Sequence, residues 1–535
     1  MMKRNRDTNR LQPDKKLNHS IPKIRAWSFD YLLKPSTLGV LVLFGLLLVV
    51  LFLTPVIGMG DDGSTAAIIS GSNLYNLGEL TPKEAIAFFQ KDWGIMEYYN
   101  DSGNAQITSQ TPFLDAAKRL DQAFTWDWLF DLRFYGAVIS VFYLIAMYFL
   151  FETVTYGKRA IWTYVIVGLG VLIFGDTGYT AWINSFYPQA LSFFLVIILG
   201  TSLILMGQKK LNDYLLIGCF FLSALLLCLL NQQYALLGLF LGILGVNLRY
   251  VDEKKCYQRI CAVCGILLML SSLAAYFMMP HGLTKLSAYH SMTRGVLMTA
   301  NNPEQALKAF SINPQYAVLT GTSYYQAISP ETMNSPELAT AFFSKVNPTG
   351  VAIYYLANPG QLYEMLNRSV DSSFNIRPAW LGNYEITQGY PAGAQTNFFT
   401  LWSYLKANYL PGNFGFIIIW MAVLIGVYVR FFRNGIIEKN ERNTLRFVGL
   451  MTWLFIGLWE LYVAIITSGD TDTLGHLFIF SLTFDLISFI ILGKFIHWIA
   501  KQLRKVNWEA RKEAFLNRNK DKEKKKNREQ RGYRL

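Results

Sequence analysis

The sharpest chemical signal in the sequence is a pair of adjacent carboxylates among glycines, Gly58-Met59-Gly60-Asp61-Asp62-Gly63. A carboxylate can take the proton of a hydroxyl as a general base, and two together can hold a divalent cation such as Mg2+ or Mn2+. The glycines let the chain turn and let a substrate come close. Asp-Gly is also a common turn pair, so a polar turn capping a helix accounts for the same residues. Asp62 is the preferred catalytic carboxylate because Gly63 leaves its side chain room to swing, and Asp61 is its alternative.

Two further groups carry convergent polar and aromatic side chains. Residues 174–187 contain Asp176, Tyr179, Trp182, Asn184 and Tyr187. Asp176 can bind a metal or a sugar hydroxyl, and the three rings can stack on a sugar or a lipid-linked pyrophosphate. An aromatic belt at a membrane boundary is the competing account. Residues 468–476 supply Asp470, Asp472 and His476, with Glu460 and Asp485 inside the apolar runs on either side. Acids inside a membrane are costly and usually face a cavity. Proton coupling in a transporter would explain them, and so would a structural hydrogen bond to a neighbouring helix. An anionic donor or leaving group needs a cation, and arginine suits phosphate best. Arg377, in the aromatic segment 374–384, is the first candidate, followed by His281 and Arg294.

The elements that must position these groups are membrane helices. Of 535 residues, 52% are hydrophobic and only 16% charged, too apolar a balance for a soluble multidomain protein. Apolar runs near 18 residues recur, the length that crosses a hydrocarbon core of about 30 Å. They lack strict alternation, so they read as helices rather than barrel strands. The expected spans are 38–58, 135–151, 160–174, 190–206, 214–230, 234–247, 260–279, 413–429, 447–466 and 476–499. The fold class is therefore an all-α polytopic membrane protein with about ten transmembrane helices. A basic cytoplasmic tail, 1–37, precedes seven spans in 38–279, which enclose an outer loop at 59–134. A second outer loop, 280–412, precedes three closing spans, 413–499, and a second basic cytoplasmic tail, 500–535.

Orientation follows from Lys and Arg, which favour the cytoplasmic side. With these spans, 37 of the 49 basic residues fall on one side, the side of both termini. The net charge of +13 thus reflects cytoplasmic tails near anionic lipid rather than a nucleic-acid binder. External thiol labelling is expected to reach cysteines introduced near Ser102 and Ser335 but not near Asn519. Labelling at Asn519 in intact cells would invert the topology. The native cysteines, Cys219, Cys228, Cys256, Cys261 and Cys264, lie in spans or on the cytoplasmic side, so no disulfide framework supports the outer loops. Within those loops, 82–89 and 112–124 each begin with Pro and space apolar residues for short amphipathic helices on the membrane surface. In the second, Phe113, Ala117, Leu120 and Phe124 make one face, and Asp121 lies off it. Helical pieces are also expected at 303–310 and 336–345, and the Gly-, Asn-, Tyr- and Trp-rich segment 374–404 should pack over the helix bundle.

The layout resembles membrane glycosyltransferases of the GT-C fold, which carry an acidic residue just after the first span, amphipathic helices in a large first outer loop, seven shared spans, and a later outer loop. Here these correspond to Asp61/Asp62, 82–124, the first seven spans and 280–412. More narrowly, the chain is similar to bacterial glycan-biosynthesis hexosyltransferases of the Wsf type. That likeness rests on Gly175-Asp176-Thr177-Gly178-Tyr179, Asn184-Ser185-Phe186-Tyr187, residues 314–325, His476-Leu477-Phe478 and Phe484-Asp485. Gly475 stands where relatives would carry a basic residue. The resemblance implies transfer of a hexose from a polyprenyl-phosphate donor to a glycan or lipid-linked acceptor, on the outer face of the plasma membrane. A carboxylate would deprotonate the acceptor, Arg or a metal would meet the leaving phosphate, and a cavity among helices would take the prenyl chain. A glycan-lipid flippase or transporter is the alternative.

Overall fold

The computed structural model describes residues 32–78, 80–96, 108–125, 127–278, 285–324, 335–471 and 473–503. Among them, eight helices are long and apolar enough to cross a membrane: Pro35–Phe52, Leu132–Thr155, Gln189–Gln208, Gln232–Val251, Lys255–Met278, Phe414–Ile437, Glu441–Ser468 and Phe478–Leu503. A ninth candidate is bent by 54° between Ile161–Phe174 and Thr177–Ile183. The shorter apolar helix Asp213–Cys228 occupies the place of the expected span at 214–230. The protein is therefore polytopic, and every expected run has a helix under it.

Helix limits follow local chemistry. Asn212, Asn231 and Asn413 each accept a backbone N–H at the start of the helix that follows, the usual use of Asn at an N-cap. The first helix ends at Phe52 rather than residue 58. Pro55 has no N–H and holds the residue before it extended, so the apolar run past Phe52 leaves the helix. It continues as the strand Ile57–Met59, antiparallel to Leu381–Tyr384 of the second long loop. A second, three-stranded sheet joins Leu74–Tyr75, Asp92–Ile95 and Leu129–Asp131 in the first long loop. The all-α expectation is corrected to that extent. Short strands with few alternating residues leave no periodic trace against long apolar helices.

Gln189–Gln208 is the central helix, 89% buried over its apolar window, whereas Phe414–Ile437 is only 17% buried and lies at the rim. The centre is packed by small-to-large contacts. A Cβ on Gly200 would lie 2.1 Å from the Trp453 ring, and the Trp453 indole N–H donates to the Val196 carbonyl at 2.7 Å. Small residues let helices approach closely where lipid offers no hydrophobic contrast.

In the long loops between spans, the helices Pro82–Ala87, Thr111–Thr125, Pro303–Ala309 and Pro336–Ala341 stand where Pro-led segments placed them. On Thr111–Thr125 the buried residues are Leu114, Ala117 and Asp121, while Leu120 and Phe124 are exposed. Asp121 is a correction: it is fully buried because its carboxylate accepts the Asp131 amide at 2.9 Å. The long segment 285–412 owns a hydrophobic cluster around Tyr289, Leu297, Leu307, Phe342 and Tyr355, which packs on Ile465 and Ile466 at the end of the span Glu441–Ser468.

Candidate functional site

The carboxylate pair sits on a rigid support. Beyond the strand Ile57–Met59, the Gly60 amide donates to the Trp380 carbonyl at 2.9 Å, and the Asp61 amide to Ala85 at 2.8 Å. Gly60 must be glycine: a Cβ there would lie 2.1 Å from the Ile86 carbonyl. Both long loops thus clamp the backbone just before the acids. Asp61 is half-buried, and its Oδ1 accepts the Gly63 amide and the Thr65 hydroxyl, each at 2.9 Å. Burial raises its pKa above the ordinary value, hydrogen bonds from Gly63 and Thr65 oppose this, and the nearby Asp62 charge adds to it. Asp62 is exposed; its Oδ1 accepts the Ser64 amide at 2.9 Å and the Tyr187 hydroxyl at 2.7 Å. Gly63 makes the turn at φ +84°.

Tyr187 leads directly to the next group. It precedes the central helix, whose Gln189 Nε2 donates to the Gly475 carbonyl at 2.6 Å. The adjacent His476 places Nδ1 3.2 Å from Gln233 Nε2. His290 is held neutral, its pKa pushed down to about 4 by burial first and then by the Arg294 and His476 charges. Arg294 Nε lies 2.7 Å from Asp470 Oδ1, and Arg368 approaches the other oxygen at 3.8 Å. Gly469 packs so closely on the Arg294 backbone that a Cβ would lie 2.7 Å from it. Three links, Asp62 to Tyr187, Gln189 to Gly475 and Asp470 to Arg294, follow one another along the chain as a polar rim, with His290 four residues before Arg294.

Sequence reading named Asp62, Asp61, Tyr187, His476 and Arg294 in this rim but missed His290. Its spacing of four from Arg294, one helical turn, was the available signal. His281 and Asp472 lie outside the described residues.

The other candidates lie deeper or elsewhere. Residues 174–187 are not an exposed outer loop but fold inward, as the short helices Thr177–Thr180 and Ala181–Ile183. Asp176 is fully buried; one oxygen caps Gly178 at 2.8 Å and the other accepts the Ser403 amide at 3.0 Å. Asn184 spends its N–H groups on the Leu51 and Ile57 carbonyls, both at 3.0 Å, which pins the end of the first span. Trp182 and Tyr179 are core residues packed on Phe478. Arg377 binds the Thr396 carbonyl, and burial lowers its pKa, opposed by Asp176.

Both membrane acids are tied to protein partners. Glu460 accepts the Tyr234 hydroxyl at 2.8 Å and the Phe480 amide at 2.6 Å. Asp485 accepts the Tyr179 hydroxyl at 2.5 Å and the Trp402 indole at 2.8 Å, and pairs with Lys406 at 2.9 Å, with both members fully buried.

Compared with known proteins, residues 17–527 match the sequence model of a family described as the YfdI N-terminal transmembrane domain. No curated protein matches the chain. No solved structure matches it either.

Proposed function

The chain belongs to the YfdI N-terminal transmembrane domain family, and from that premise we propose that it is an integral-membrane glycosyltransferase of the GT-C type. In this reading it moves a hexose from a polyprenyl-phosphate donor to a cell-surface glycan or lipid-linked acceptor. The reaction takes place on the outer face of the cell membrane, and both termini are cytoplasmic. The kinship to Wsf-type hexosyltransferases belongs to the same reading.

The observation that carries it is the set of links from the Asp62–Tyr187 hydrogen bond, through Gln189 on Gly475, to the Asp470–Arg294 pair five residues earlier in the chain. Transfer needs a base for the acceptor and a cation for the leaving group within one site. The acceptor hydroxyl gives its proton to the Asp62 or Asp61 carboxylate as its oxygen bonds the anomeric carbon. The bond from that carbon to the donor phosphate breaks, and the phosphate leaves with the electron pair. Arg294, with Arg368 beside it, meets the charge that leaves; Asp470 holds the guanidinium in place. A divalent cation would bind Asp61 and Asp62. Among the described residues no group of three or more His, Cys, Asp or Glu side chains could hold one, so donor phosphate and water would complete its shell.

A flippase or transporter is less well supported. The acids that would couple it to protons, Glu460 and Asp485, have both oxygens engaged by protein groups. The deciding experiment reconstitutes the purified protein in vesicles with a radiolabelled polyprenyl-phosphate hexose and a glycan acceptor. Label appearing in the acceptor supports transfer. Lipid that crosses the bilayer with its sugar intact and no transfer would favour the transporter.

A pH profile gives a second check on the pair. Where Asp61 takes the proton, it must be ionised, so activity falls as pH drops through its raised pKa. The acid limb is then expected above the ordinary carboxylate value of 3.8. Asp62→Asn removes a charge that raises this pKa, so the residual activity of that variant should show its acid limb at lower pH. A limb that does not move would separate Asp61 from the proton transfer.

A further inference from the structure

The second outer loop contains a cleft that the rim does not use. Asn302 caps the helix Pro303–Ala309 through the Gln305 amide at 3.2 Å. The helix Pro348–Ala357 ends at Asn358, and Pro359–Phe374 begins there. Between these elements lies a cleft of about 650 Å³ whose lining contains no Asp, Glu, Lys or Arg. Its polar groups are side-chain amides, from Asn301, Gln305, Asn358 and Gln361, and its rings are Phe310 and Tyr354, tilted with centroids 5.4 Å apart.

We infer that this cleft binds neutral hexose units of a glycan chain. An amide donates and accepts at once, which matches neighbouring sugar hydroxyls that do the same. An ionised ligand would lose water there without gaining a counter-charge. The rings supply an apolar surface for the C–H face of a pyranose. The Asn301 and Gln305 side-chain amides make no hydrogen bond with the described residues, whereas Asn358 is locked onto the Tyr354 carbonyl at 2.9 Å.

The cleft backs onto the rim. On Pro348–Ala357, Tyr354 faces the cleft, while Tyr355 turns inward to Gly295, where a Cβ would lie 3.1 Å from its hydroxyl. Gly295 follows Arg294. A glycan in the cleft would therefore be held behind Arg294, and its role as the acceptor rests on the transfer reading above. The binding itself does not.

The test is saccharide binding by the purified full-length protein in lipid nanodiscs, without donor. A panel of neutral gluco-, manno- and galacto-tetrasaccharides is compared with tetragalacturonate by saturation-transfer NMR and titration. The expected result is binding of at least one neutral tetrasaccharide, weakened about tenfold or more by Asn301→Ala/Gln305→Ala. Lys308→Ala, on the same helix but outside the lining, should leave it unchanged. Both altered amides are exposed, so the double variant keeps its fold. Absence of neutral binding, a preference for the uronate, or binding that the double variant leaves intact would each overturn the inference. Asp62→Asn separates the two proposals, since it should slow transfer severely and leave this binding in place.

Discussion

Asp62→Asn is expected to slow sugar transfer by a factor of about 100 to 10,000 while the protein remains folded. The amide keeps the shape of the carboxylate, and its oxygen can still accept the Ser64 amide and the Tyr187 hydroxyl. What disappears is basicity and charge at Oδ2, which takes no hydrogen bond from the described residues and is open to a substrate. Asp61→Asn tests the neighbour, whose Oδ1 is engaged by Gly63 and Thr65 in the same way. The two variants together decide which carboxylate takes the proton, because the larger loss marks the base. The measurement is label transfer from a polyprenyl-phosphate hexose by purified protein, with folding checked by thermal unfolding. Near-normal turnover in both variants would remove the catalytic reading of the pair. Asp176 would not then inherit the role, since it is fully buried with both oxygens bound to backbone amides.

Apolar run length was enough to locate every membrane helix, because backbone in lipid has few other solutions. What it could not resolve was which polar and aromatic groups face outward. Trp182 and Tyr179 have the composition of an interfacial belt, yet they are core; rings serve both environments, and a sequence of fourteen residues does not show which way a chain folds. Asp61 and Asp62 were legible because glycine and carboxylate cluster locally. The rim was not, because it is assembled by Gln189 reaching Gly475 and by Arg294 reaching Asp470, contacts between segments far apart in the chain. Arg377 shows the same limit from the other side. Its aromatic surroundings suggested a ligand; its guanidinium donates to the Thr396 carbonyl, as that of Arg294 donates to the Gly321 carbonyl.

Lys406 is the clearest case of a charge whose meaning depends on a distant partner, and it carries the second large effect. In the sequence it is one more cation of an outer loop; in the fold it is fully buried against Asp485 of the last span, and also donates to the Ser481 hydroxyl at 2.7 Å. Removing one member of a buried pair leaves the other charge without compensation, at a cost of about 3–5 kcal/mol. Lys406→Met is therefore expected to destabilise the protein by about that amount in detergent unfolding, and Asp485→Asn similarly. The double variant Lys406→Met/Asp485→Asn should recover most of the loss. The Asn oxygen can still accept the Tyr179 hydroxyl and the Trp402 indole, so those two buried donors keep their acceptor. Additive losses in the double variant would mean that the two charges do not compensate each other. The pair also separates the two functions. As a clasp between the second outer loop and the last span, it should affect transfer only as far as it affects folding, and the double variant should keep its turnover below the unfolding transition. A proton-coupled carrier that used Asp485 would lose its dependence on the pH gradient in that same variant, however stable it was.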